Sequence, residues 1–194
     1  MTHSLCASCG QDTSDDGAVN FGSIEKGYRI LCNYCYNATV AESAGLKGFE
    51  NARFDPMELI DQDGVPHLFH FRYRLFVTGV SLDAYESPPD GSYGYQFRVI
   101  GPPEGDPFEL LGRLVRKIKR GLSTRYLEET QGRTHIASHD MVRGQIECDL
   151  DCPERLPLII IDGREFTWDE FGQMLSGYEG WSFQLEINER GEAD

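Results

Sequence analysis

Two Cys-x-x-Cys pairs, Cys6/Cys9 and Cys32/Cys35, are separated by 22 residues near the start of the chain. A pair at that spacing can present two sulfurs to one ion, and two pairs complete the tetrahedron that Zn²⁺ prefers. Closing it brings residues 6 and 35 together and folds everything between them into a compact loop-back. No other feature restricts the chain as tightly. A redox role needs only one pair, usually at a helix start in a βαβ setting, so the doubling favours metal. Four protein sulfurs leave no open coordination position, which makes the expected zinc structural rather than catalytic.

The residues around the sulfurs support the same reading. In CASCG the glycine after the second cysteine permits a tight turn, so backbone amides can point at the sulfurs. The stretch FGSIEKGYRILC reads as a hairpin, with Phe21 to Ile24, a turn near Glu25 to Gly27, and Tyr28 to Leu31. CNYC then opens a short helix that ends near Gly45. Cys35 lies close to its N-terminus, where free N–H groups favour a thiolate. Knuckle, hairpin and second pair at a helix start: in this order, residues 4–45 resemble a treble-clef zinc finger. The resemblance implies Cys6, Cys9, Cys32 and Cys35 as ligands of a structural Zn²⁺. It implies no single function, since such fingers bind nucleic acids, proteins or only their own chain.

The chain has 194 residues, 40% of them apolar and 11% aromatic, enough for a real core. It contains no apolar run of about 18 residues, so no transmembrane helix is expected. The opening MTHSLCASCG lacks the basic and apolar regions of a signal peptide. A cytoplasmic location is the expectation, and there paired cysteines favour metal over disulfide. The net charge of −14 opposes general nucleic-acid binding. Its distribution is uneven. Residues 113–125 carry six bases and no acid, whereas residues 147–194 carry thirteen acids against three arginines.

Residues 1–45 are expected to form the zinc-binding module and 46–64 a polar connection, with one helical turn starting at Asp55-Pro56. Residues 65–190 follow as an α+β domain. HLFHFRYRLFVTGVSLDAYE places Phe69, Phe71, Tyr73, Leu75 and Val77 on one strand face, with His70, Arg72 and Arg74 opposite. YGYQFRVIG alternates likewise, and SPPDGSYG between them is dense in turn residues. Asp106 and Pro107 suit the start of a helix. Phe108, Leu111, Leu114, Val115 and Ile118 form its apolar stripe, and Gly121 its end. LSTRYLEE reads as a further helical piece and MVRGQIECD as a strand. In LPLIIIDGREFTW the Asp162-Gly163 pair signals a hairpin. Thr167 to Glu170 matches a capping box, opening a helix with Trp168, Phe171, Met174 and Leu175 inward. GWSFQLEI alternates as a closing strand, with Trp181, Phe183, Leu185 and Ile187 inward. The whole reads as a mostly antiparallel sheet with two or three helices behind the zinc module, an α+β protein. The stretch IDGREFTWDEFGQMLSGYEGWSFQLEI, within residues 157–187, resembles a family of uncharacterised bacterial proteins. That resemblance implies a bacterial source and no activity.

Three further sets of residues carry candidate chemistry. His135, His139, Cys148 and Cys152 are all zinc-ligating types, and His-x₃-His can place both rings on one helical face; surface histidines and ordinary cysteines are the simpler reading. The bases Arg113, Arg116, Lys117, Lys119 and Arg120 of the 107–121 helix can contact phosphates. They can equally be counter-charges for the acidic C-terminal part, with the helix lying on that sheet. His70, Arg72 and Arg74 can meet an anion. Glu165, Asp169 and Glu170 are explained by capping and the helix dipole, and no Walker loop, G-x-S-x-G or H-E-x-x-H is present. The expected role is therefore a zinc-binding accessory or regulatory protein that acts by protein–protein interaction through the finger and the acidic C-terminal surface. One alternative is a nucleic-acid-binding protein that uses the finger and the basic helix. The other is an enzyme with a site near His70 and Arg72.

Overall fold

The structure, a computed structural model, describes residues 4–13, 17–25, 27–88, 92–149 and 156–189. It is an α+β fold of small antiparallel sheets and, among the described residues, three α-helices.

Two short strands, β1 (Ser4–Leu5) and β2 (Asp12–Thr13), flank the first cysteine pair. The hairpin β3 (Ala18–Ser23) and β4 (Gly27–Cys32) follows. It runs directly into α1 (Asn33–Ala44), which stops at Gly45 in the left-handed region (φ 67°), where a side chain would be strained. Hairpin and helix fall where their sequence signals put them.

The principal sheet has the order β5 (Met57–Ile60), β6 (Pro66–Phe76), β7 (Gly79–Tyr85), β8 (Gln96–Gly101). β5 lies within the stretch 46–64, expected as a connection, and Asp55-Pro56 starts no helical turn. Phe69, Tyr73 and Leu75 of β6 and Val80, Leu82 and Ala84 of β7 are buried on one face. The long alternating run is two strands, not one. Its turn falls at Val77-Thr78, and Val77, expected inward, is 100% exposed. Alternation carries no mark of where a strand reverses, and Gly79 (φ 152°) supplies the bend.

Helix α2 (Pro107–Leu122) covers that apolar face. Asp106 caps it, accepting a bond from Phe108 N–H at 2.8 Å, and Pro107 occupies the first turn. The buried stripe is Leu110, Leu114, Ile118 and Leu122. Phe108, expected inward, is 62% exposed, because the stripe begins two residues later. Gly121 does not end the helix. A Cβ there would lie 2.5 Å from the Phe97 ring, so the glycine lets α2 approach β8.

The remainder packs around a second, smaller core of Leu127, Ile159, Ile161 and Phe166. β9 (Leu127–Thr130) and β10 (Arg133–Ile136) form a hairpin where a helical piece was expected over 122–129. β11 (Gln145–Cys148), β12 (Pro157–Ile161) and β13 (Arg164–Phe166) form a three-stranded sheet. Asp162 and Gly163 both have positive φ in the expected tight turn. Helix α3 (Trp168–Leu175) opens on the full Thr167–Glu170 capping box. Phe171 and Met174 pack on the small core, but Trp168 and Leu175 stay half-exposed. A 3₁₀ turn, Ser176–Tyr178, follows. The expected closing strand does not form. Residues 181–189 pair with no strand among the described residues. Trp181, Phe183, Leu185 and Ile187 are 67%, 91%, 72% and 69% exposed.

No helix of the described residues is long and apolar enough to cross a membrane.

Candidate metal centre

The knuckle is held by backbone bonds before any metal is considered. Gly10 N–H donates to Cys6 O and Cys6 N–H to Gln11 O, both at 2.9 Å, and Gly10 takes φ 72°. Ala7 N–H donates to Ile30 O at 2.8 Å, which pins the knuckle to β4. Cys32 ends β4 and serves as the N-cap residue of α1 without a side-chain cap bond; Cys35 lies in the first turn. No acid sits in that turn, so the positive end of the helix is left to the sulfurs.

The four Sγ atoms of Cys6, Cys9, Cys32 and Cys35 lie within 4.8 Å of one another. Cys9 and Cys32 are 3.9 Å apart. Sulfurs about 2.3 Å from one central ion stand about 3.8 Å apart at the corners of a tetrahedron, so the donor set fits a metal of that size. Cys6 is buried, Cys9 exposed, and Cys32 and Cys35 half-buried. Burial raises the Cys6 thiol, but backbone bonds from Cys32, Cys9 and Ser8 win and lower it to about 6. Burial raises Cys35, and the neighbouring thiols of Cys32, Cys9 and Cys6 add to this, to about 12. The same crowding therefore favours the Cys6 thiolate and opposes the Cys35 thiolate. A bound dication removes that conflict, because each sulfur then faces positive charge.

The module is also joined to the principal sheet. Asn37, on α1, is almost wholly buried. Its Nδ2 donates to Tyr73 O at 2.8 Å and to Asn51 Oδ1 at 3.2 Å, and its Oδ1 accepts from Leu75 N–H at 2.9 Å. β5 pairs only with Pro66 to Phe69 of β6. One asparagine therefore supplies the bonds a neighbouring strand would have made further along that edge. Asn37 had no sequence signal, since a polar residue in a short helix resembles any solvated position.

The other candidates are dispersed. His135 is on β10, not on a helix, and His139 lies in the turn beyond it, its ring 5.7 Å from that of Tyr126. Cys148 ends β11, exposed, and Cys152 lies outside the described residues. Among the described residues only the four N-terminal cysteines form a metal-sized cluster. On α2, Arg113, Arg116, Lys119 and Arg120 are exposed. Arg113 donates to Ile100 O, and Lys117 is half-buried. The helix lies on β7 and β8, not on the acidic C-terminal sheet. Arg125, beyond the end of the helix, donates to Asp61 at 2.6 Å and Asp63 at 3.1 Å, not to an acid of the C-terminal part. Glu165 accepts from Tyr93 N–H and Glu170 closes the capping box. His70 stacks on Tyr85, and Arg72 lies over the same ring.

Fold and site together define an antiparallel α+β chain with a four-cysteine cluster at its N-terminal end. The chain is similar in turn to three families, each described as a domain of unknown function: DUF7685 over residues 5–47, DUF7686 over 50–123 and DUF7713 over 126–192. The first match contains all four cysteines, and the second begins inside the stretch 46–64. No curated protein and no solved structure matches the chain.

Proposed function

We propose that the protein is a zinc-binding accessory or regulatory module that engages a protein partner. Cys6, Cys9, Cys32 and Cys35 hold one structural Zn²⁺ in a treble-clef-like finger. The observation that carries the interaction role is the exposed alternating row Trp181, Phe183, Leu185 and Ile187. Four large apolar side chains in one short segment are a surface to be covered, since water-exposed apolar patches of this kind mark contact sites. The acids around the row would select a basic partner rim. The test is cross-linking followed by mass spectrometry in cells that carry the gene, comparing wild type with F183S/L185S. A partner bound through this segment is cross-linked in wild type and lost in the variant at equal abundance and equal zinc content. An unchanged cross-link pattern would sink the reading.

Nucleic-acid binding through α2 is the second reading, and one observation favours it. Among the described residues none of Arg113, Arg116, Lys119 and Arg120 forms an ion pair. The counter-charge explanation therefore does not account for these four. If they contact phosphates, log K should fall against log salt with a slope of about −3. R116E/R120E should abolish retention of labelled oligonucleotides. No retention of single or double strands at low salt would dismiss it.

A further inference from the structure

We propose that the polar face of β6–β8 is a binding site for an organic phosphate monoester, with Arg72 as the residue that grips its oxyanion. The register sets Arg72, Asp83 and Arg98 side by side across three strands, with Arg74 one step along β6. Arg98 takes both oxygens of Asp83, through Nε and through Nη2 at 3.3 Å, and Ser81 Oγ donates to the same carboxylate. Asp83 is thereby used up. Arg74 Nε donates to Asn33 Oδ1 at 3.1 Å. Arg72 Nε is buried and has no hydrogen-bond partner among the described residues. Its guanidinium lies 4.9 Å above the Tyr85 ring, which orients it but accepts no proton.

A buried guanidinium nitrogen without a protein acceptor is rare in a settled fold, and its ordinary partners are an ordered water or an anion. The charge of the face points to the sign of that ligand: three arginines stand against one carboxylate, in a chain of net charge −14. Burial lowers the Arg74 guanidinium, and the neighbouring Arg72 and Arg98 add to this against the opposing pull of Asp83. A hollow of about 80 Å³ is lined by Arg72, Asp83, Tyr85, Gln96 and Arg98; Asp83 is already held by Arg98 and Ser81. Arg72 also lines a larger cleft of about 310 Å³, between the cysteine module and the edge of β6 that Asn37 bonds. Its walls are Tyr34, Phe54, Phe71 and Tyr73, with Arg53 stacked 4.3 Å over Tyr34. Such a cleft is at the small end of ligand-binding cavities. A fork-shaped, permanently charged donor next to an aromatic cleft suits a phosphate carried on an organic ring. Asp12 also lines the cleft, so the oxyanion belongs at the Arg72 end.

The experiment is calorimetric titration of the full chain with inorganic phosphate, adenosine monophosphate and a single-stranded oligonucleotide. The expected result is weak binding of phosphate and at least about tenfold tighter binding of the monophosphate. R72K keeps the charge but loses the planar fork, and should weaken both by about tenfold or more. Y34A should weaken the monophosphate only. The ¹H–¹⁵N signal of Arg72 Nε should shift on adding phosphate, a readout that needs no variant. Several results would overturn the proposal: no phosphate binding, R72K equal to wild type, binding lost instead in R116Q/R120Q, or binding of the oligonucleotide alone.

Discussion

Replacing Asn37 by leucine removes the acceptor of Leu75 N–H and the donor to Tyr73 O, both inside the fold. Each backbone group left unsatisfied costs about 1–3 kcal/mol. A buried leucine returns about 1.5–3 kcal/mol at best, and less where its shape does not match the amide. A net loss of about 1–3 kcal/mol follows, a substantial share of the roughly 5–15 kcal/mol that holds a domain together. With a urea slope of about 1–3 kcal/mol per molar, the unfolding midpoint should fall by about 1 M. The local reporter is sharper. Leu75 N–H owes its protection to Asn37, so its hydrogen exchange should accelerate in N37L while the β7 amides stay slow. N51A is the milder change: Asn51 bonds Tyr34 O near the surface and accepts from Asn37 Nδ2, which keeps its bond to Tyr73 O, so its loss should cost about 1 kcal/mol and leave the Leu75 amide protected. Removing the metal should also speed the Leu75 amide, because α1 starts at Cys32 and Cys35. A midpoint unchanged in N37L, together with an equally protected Leu75, would refute the idea that one asparagine joins module to sheet.

Atomic spectroscopy of the purified chain should find one zinc per molecule, and C32S should lose it; a second equivalent would revive the set His135, His139, Cys148 and Cys152. Asp61 is almost fully buried; burial alone would raise its carboxyl, but the Val65 and Asp63 N–H groups, His67 and Arg125 hold it below the usual 3.8. Its folded pKa is thus depressed, so its stabilisation is full above pH 3.8 and lost as pH falls through the lower folded value. Arg125 keeps Asp63 as a partner, so D61N should be about 1–3 kcal/mol less stable at neutral pH, and the gap in urea midpoints should narrow only below pH 3.8. Two α2 glycines should respond oppositely. G121A meets the Phe97 ring and should destabilise by about 1–3 kcal/mol. G112A meets nothing closer than Arg116 Nη1 at 3.7 Å and should stabilise by about 0.5–1 kcal/mol; calorimetric melting separates them.

What could be read from the sequence was local. Cys-x-x-Cys spacing, Asp106-Pro107, Thr167 with Glu170 and Asp162-Gly163 each act within a few residues of themselves, and each formed as expected. Errors arose where the deciding partner was distant. The alternation of residues 69–77 continues through Val77, and only the pairing of Phe76 with Gly79 shows the reversal. Trp181 to Ile187 alternates as well as any strand in the chain. A strand also needs an edge to pair with, and the sequence cannot say that none of the described edges is offered to it. Asn37 is illegible for the same reason, since its partners lie 36 and 38 residues away. The stripe of α2 departs from expectation at its start: Phe108 satisfies the helical period as well as Leu110 but is exposed, while Leu111, Leu114 and Ile118 pack on the core as expected.

The cysteine cluster and the arginine face are neighbours through one residue. Asn33 follows Cys32 of the cluster, and its Oδ1 accepts from Arg74 Nε, while Cys32, Asn33 and Tyr34 line the larger cleft. The first turn of α1 is therefore shared by both sites. Whatever orders that turn favours both occupants, and coupling between two ligands of one protein is reciprocal. Bound monophosphate should slow the release of zinc to a chelator, and it should raise the equilibrium zinc affinity by the same factor by which metal removal weakens the monophosphate, about fivefold or more for a coupling near 1 kcal/mol. Adenosine monophosphate can itself bind free zinc, so the comparison is with R72K, where the slowing should vanish while the starting zinc content is equal. Equal release rates in wild type with and without the monophosphate, under conditions where calorimetry shows it bound, would mean that the shared turn carries no coupling and that the two sites are only adjacent.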